Sequence, residues 1–106
     1  MSDPLTVQLD VLDGLAAELT ALGAELADDA HVSTACGTSL GWSLDGGPGA
    51  ETAAVGHEWG TVLGLLAGRA TEVGATLSAA VAGYRALDRS AAELVAGARG
   101  RSAVAR

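Results

Sequence analysis

The chain has 106 residues, with 13 carboxylates against six arginines and a formal net charge of -7, which speaks against a nucleic-acid backbone or an anionic membrane surface as the main partner, since both reward positive charge. Its length allows one domain with a marginal core. Phe is absent and the only aromatics are two Trp and one Tyr, so burial has to come from Leu, Val and Ala, and small side chains imply close helix approach.

The charge is unevenly placed. No basic residue precedes Arg69, and all six arginines lie from there onward, an asymmetry that suits antiparallel self-association or a basic partner. The single cysteine, Cys36, cannot form an intrachain disulfide and reads as a small, half-buried residue at a helix end, the alternative being a reactive or intermolecular thiol. The N-terminus lacks the basic and apolar regions of a general secretory signal. The longest mainly apolar run, Thr61 to Ala67, is far too short to span a bilayer. A soluble chain is expected.

In chain order, residues 1–8 read as an extended lead-in, with Pro4 discouraging helix before it. Helix 1 is expected over 9–32, where Leu12, Leu15, Leu19, Leu22 and Leu26 recur at spacings of three and four and Ala16, Gly23 and Ala30 broaden the stripe. Asp10 and Asp13 fall in its first turns, where carboxylates interact well with the helix dipole. Residues 36–49 hold five glycines and Pro48 and read as a Gly-rich connector. It leaves room for Trp42 and Leu44 to fold over the end of the bundle.

Helix 2 is expected over 50–98, with Pro48 suited to its first turn. Its apolar seam runs Trp59, Leu63, Leu66, Ala70, Val73, Leu77, Ala80, Tyr84, Leu87, Ala91, Leu94 and Ala98, alternating by four and three without a charge. Within the same helix Gly56, Gly60, Gly64 and Gly68 recur every four residues. Each costs about 1 kcal/mol relative to alanine in an isolated helix. A groove admitting another backbone would offset that cost; drift of a glycine-rich composition through exposed positions is the alternative. Gly97 and Gly100 are expected to end the helix, leaving 99–106 as a flexible tail with Arg99, Arg101 and Arg106.

The expected fold is all-α: one domain, an antiparallel two-helix hairpin in which the last third of the long second helix is left uncovered by the first, and which assembles into a helical bundle. The residues expected at the interface are Leu63, Leu66, Val73, Leu77, Leu87 and Leu94 together with Gly56, Gly60, Gly64 and Gly68. An uncovered seam predicts association, with a second copy or with a helical partner.

Little in the chain points to catalysis. His31, Cys36 and His57 match no zinc spacing, so neither a metal nor another cofactor is expected. A Cys-His pair would lack a supporting shell, and Asp28 with Asp29 reads as a solvated helix end. Gly46, Gly47 and Gly49 lack the strand and Lys of a phosphate-binding loop. The expected class is non-enzymatic. What remains is Tyr84 with Asp88, four apart on one helical face, flanked by Arg85 and Arg89, with Glu93 within reach of Arg89.

A chain of this size with two helices, no signal peptide and a Tyr-x-x-x-Asp element in helix 2 resembles the type VII (ESX) secretion substrates of mycobacteria and other actinobacteria. More closely, Leu5-Thr6-Val7-Gln8, a Leu/Ala helix, a Gly-rich loop and Tyr84-Arg85-Ala86-Leu87-Asp88 resemble the EspC-like group of ESX secretion-associated proteins, related to the WXG superfamily. The resemblance implies a secreted or cell-surface protein exported as a folded helical dimer without a cleavable signal. It further implies that Tyr84 and Asp88 form part of the signal read by the membrane-bound machinery and its ATPase. The Trp-x-Gly turn of the related WXG proteins is missing: Trp42 is followed by Ser43-Leu44 and Trp59 directly by Gly60, and Trp59 reads mainly as core. The competing expectations are a cytosolic structural or adaptor bundle, a membrane-active helix built on the glycine run, and a thiol enzyme built on Cys36.

Overall fold

The computed structural model describes residues 3–105, with side chains through residue 102. Two helices, α1 (Pro4–Ser43) and α2 (Gly47–Ala105), pack antiparallel as a hairpin. The rod measures 91 × 20 × 13 Å. Its radius of gyration is 24.7 Å, against about 13 Å for a compact domain of this length.

Helix α1 begins at Pro4, not at Leu9. Pro4 occupies its first turn, where a fixed φ and a missing N–H cost nothing, and Asp3 caps it by accepting the Thr6 backbone N–H at 2.8 Å. The extended lead-in is therefore replaced by helix from Pro4 onward, while Met1 and Ser2 lie outside the described residues. The sequence expectation treated Pro4 as a breaker, although at a helix start it is an initiator.

The Gly-rich connector is also mostly helix. Residues 36–43 continue α1, and the turn reduces to Leu44, Asp45 and Gly46, the last with φ +72°. Gly37 and Gly41 stay helical because they face α2 at very short range. A Cβ on Gly37 would stand 2.7 Å from the Gly56 Cα, and one on Gly41 would stand 2.8 Å from the Gly49 carbonyl oxygen. Trp42 does not fold over the end of the hairpin; it is 85% exposed.

Helix α2 runs to Ala105, so the tail expected over 99–106 is helical as far as it is described, and Arg106 lies outside the described residues. Gly97 and Gly100 adopt no positive φ. The alanines around them, Ala91, Ala92, Ala96 and Ala98, are the strongest helix formers and carry the backbone through.

The seam that closes the hairpin has a period of seven. In α1 it is Leu9, Ala16, Gly23, Ala30 and Gly37; in α2 it is Ala53, Gly60, Ala67, Gly74 and Val81, beside Gly49 and Gly56. Facing residues have numbers adding to 93 or 94, as Gly37 with Gly56 and Thr20 with Gly74 do. Pro4 therefore stands level with Arg89 or Ser90. Residues 91–105 project past it as an arm of roughly 22 Å at 1.5 Å per residue. Because α1 runs to Ser43, the uncovered portion of α2 is this arm and not a third of the helix.

This geometry separates the glycines into two classes. At Gly56 a Cβ would lie 2.6 Å from the Gly37 Cα, whereas at Gly64 and Gly68 nothing stands within 4 Å. Gly56→Ala is expected to lower the thermal midpoint by forcing the helices apart. Gly64→Ala and Gly68→Ala should each stabilise by roughly 0.5–1 kcal/mol through helix propensity alone. Circular-dichroism melts of the three variants check the contrast.

Candidate interaction surface

Seen from the seam, the remaining positions fall on two sides. Side chains three residues after each seam position of α1 and α2 emerge on one side, and those four residues after emerge on the other. The cross-hairpin contacts agree. Ser33 Oγ donates to the Gly56 carbonyl at 3.2 Å on the first side. On the second, a Cβ on Gly60 would meet the Thr34 hydroxyl and one on Gly74 the Thr20 hydroxyl.

The first side is a leucine face. Leu12, Leu15 and Leu22 supply it from α1; from α2 it takes a ridge in which every seventh residue counts: Trp59, Leu66, Val73, Ala80, Leu87 and Leu94. All are exposed, with Trp59 at 58%, Leu87 at 68% and Leu94 at 71%. The seam expected for α2 is thus rotated about the helix. Leu63, Ala70 and Leu77 lie at its half-buried edge, while Trp59, Leu66 and Val73 point away from α1. The reading of Trp59 as core is corrected. Glycine and alanine allow the two backbones a closer approach than leucine would, so the smaller residues take the inside.

The second side is a shallow groove of small and polar residues. Thr20, Ala27 and Gly64 line it near the middle, with His31 and His57 toward the turn. Gly64 and Gly68, expected at a helix interface, open onto this groove, whereas Gly56 and Gly60 meet α1. Among the described residues no three His, Cys, Asp or Glu side chains converge as a metal site requires. No helix is long and apolar enough to cross a membrane among them either. Cys36 is exposed, not half-buried.

At the open end, Arg85 bridges the helices. Its Nη2 donates to Asp10 Oδ1 at 2.5 Å and its Nη1 to Asp13 Oδ2 at 3.5 Å. Asp10 and Asp13 thus face a guanidinium across the hairpin in addition to lying early in α1, a pairing that helical periodicity within one segment does not reveal. The signal available was the charge asymmetry: acids without bases in α1, arginines in α2. Tyr84, 60% exposed, and Asp88, also exposed, share the adjoining face of α2. Asp88 continues the seam line of Gly74 and Val81 to the level of the first turn of α1.

The seam itself was legible and missed. Ala16, Gly23, Ala30 and Gly37 alternate Ala and Gly every seven residues, and Ala53, Gly60, Ala67 and Gly74 repeat the alternation. Ranking stripes by hydrophobicity favours the leucines instead.

The exposed Arg85 pair predicts a modest, screened effect. Arg85→Ala should destabilise by up to about 1 kcal/mol at low ionic strength and by less in high salt. Denaturant titrations at two salt concentrations check the sign and the screening.

Compared with known proteins, the chain matches no protein-family model, no curated protein and no solved structure.

Proposed function

We propose that the protein is a non-enzymatic assembly module, exported by a type VII (ESX) secretion system as a folded helical dimer, with Tyr84 and Asp88 acting as part of the export signal. The observation that carries the assembly half is the amount of apolar surface the hairpin leaves outside. Four hydrophobic residues are buried, Leu9, Ala16, Ala67 and Val81, while twenty large ones are exposed among the described residues. The accessible surface is 7698 Å² for a 10.4 kDa chain, whereas a compact monomer of that mass exposes about 5,400 Å². Exposed apolar ridges mark interaction sites. A second copy or a cognate helical partner laid on the leucine face would bury Leu12, Leu15 and Leu22 of α1 and Trp59, Leu66, Val73 and Leu87 of α2.

The export half is supported by the resemblance to EspC-like proteins and by the placement of its two residues. Tyr84 and Asp88 sit one helical turn apart on an exposed stretch of α2, beside the arm, where a machine can read them without unfolding the hairpin. A cytosolic adaptor bundle shares the assembly half and lacks the export.

Two experiments test the halves separately. Leu66→Asp with Val73→Asp places charge on the ridge and should reduce the native mass to that of one chain; an unaltered assembly would remove the leucine face from the interface. Tyr84→Ala with Asp88→Ala should leave helicity intact and abolish appearance in the culture filtrate of an ESX-competent host. Unchanged export leaves the adaptor reading.

A further inference from the structure

Resting on the export half of the reading above, we infer that the element formed by Tyr84 and Asp88 is a surface of both helices, legible only while the first turns of α1 are clasped against it, and that Arg85 is the positioning residue that holds them there. Asp88 continues the seam line past Val81, so it lies on the side of α2 turned toward α1, level with Leu5. Tyr84, three residues after Val81, emerges on the leucine side, level with Leu9. Both are exposed. A body that touches the phenol and the carboxylate together has to straddle the edge of the contact between the helices, and there it meets the exposed Leu5 and Leu12 of α1. With α1 frayed away, the same two residues stand on a bare helix and offer a different surface.

The open end of the hairpin is where a clasp counts. The turn ties the helices together at Leu44, Asp45 and Gly46, and α1 starts a full 40 residues of helix away from it. Helix ends far from a tether open at close to zero free energy unless tertiary contacts hold them. Two sets of contacts hold this one. Three of the four buried hydrophobic residues, Leu9, Ala16 and Val81, lie in the open half. Beside them Arg85 donates to Asp10 and Asp13, and among the described residues these are the only ion pairs between the helices. Arg85 leaves α2 four residues after Val81, on the groove side, so it crosses to α1 from the side opposite Tyr84 and leaves the leucine side of the element clear. By taking two carboxylates a turn apart, the planar guanidinium fixes the rotation of α1 as well as its distance.

The test separates clasping from reading. Arg85→Glu sets three carboxylates together, and Leu9→Ala removes apolar contact by different chemistry; neither alters Tyr84 or Asp88. In amide hydrogen exchange of the full chain at low salt, each should speed residues 8–14 of α1 by about tenfold. Amides beside Gly37 and Gly56 should keep their rates, which distinguishes local opening from a failure to fold. A shift of that size takes a terminal turn from mostly closed to mostly open, so appearance of both variants in the culture filtrate of an ESX-competent host should fall several-fold. Arg85→Glu with Asp10→Arg and Asp13→Arg rebuilds the clasp with its charges exchanged and should restore both readouts, a recovery that loss of a guanidinium contacted by the reader would not show. Faster exchange with unchanged export overturns the inference and leaves Tyr84 and Asp88 as a signal of one helix. Exchange that Arg85→Glu leaves unaltered, or raises equally beside Gly37 and Gly56, overturns it as well. Unchanged export of the chain carrying Tyr84→Ala and Asp88→Ala is a separate result, which removes the export reading itself and this inference with it.

Discussion

The contact on which this hairpin depends is the approach of two backbones at a seam with almost no side chain in it. Where Gly37 meets Gly56, a single methyl group on either residue would collide with the other's Cα. Glycine in a helix costs roughly 1 kcal/mol against alanine, so a seam with Gly23, Gly37, Gly56, Gly60 and Gly74 in it is expensive locally. It persists because close packing recovers dispersion along the whole contact. The period of seven keeps the small residues facing inward over the full length of α1. Adding bulk at one seam position moves both helices, because the adjacent turns have no long side chain that can yield.

That choice determines what lies outside. A helix has one inward stripe, and in this chain the small residues occupy it. The leucines of both helices are displaced to its flank, where the antiparallel geometry sets Leu12 and Leu22 on the same side as Leu66 and Val73. The hairpin is consequently closed in its backbone contacts and open in its apolar ones. Burying Leu9, Ala16, Ala67 and Val81 alone cannot balance the conformational entropy of about a hundred ordered residues. Under the assembly proposed above, covering the leucine face would add apolar burial that the seam does not supply.

Much of the architecture was readable beforehand, and the misreadings share one cause. The all-α hairpin, the long second helix and the uncovered apolar stripe follow from periodicity alone. Pro4, Gly37, Gly41, Gly97 and Gly100 were read by local propensity as breaks, yet Pro4 starts a helix and the others lie within one. For Gly37 and Gly41 the reason is tertiary: the facing backbone of α2 wants no Cβ there. The placement of the seam failed for a related reason. Hydrophobic ranking assumes that the largest apolar residues go inside, whereas close approach rewards the smallest. At the candidate surface, Tyr84 and Asp88 are exposed on α2 as their spacing allows. The Arg85 link to Asp10 and Asp13 required the register between the helices, which one helix's own pattern does not contain.

The register also explains how one small chain can present two unlike sides. With facing residues adding to 93 or 94, each seam position of α1 has a fixed level on α2, and the flanking positions sort by type. Leu12, Leu19, Leu26 and Leu40, with Ser33 among them, fall three residues after the seam positions of α1, and Asp13, Thr20, Ala27, Thr34 and Gly41 fall four after. A slip of one residue in either helix would rotate its face by about 100°, burying a leucine against the partner backbone and exposing a glycine. Arg85, reaching two carboxylates on successive turns of α1, and Ser33, bonded to the Gly56 carbonyl, pin the same register near opposite ends of the contact. Neither pair contributes much energy, since both are partly solvated. Their effect is to discriminate between alignments that a seam of near-identical small residues would otherwise leave close in energy. The polar contacts therefore select the alignment, and the alignment decides which face carries the exposed leucines.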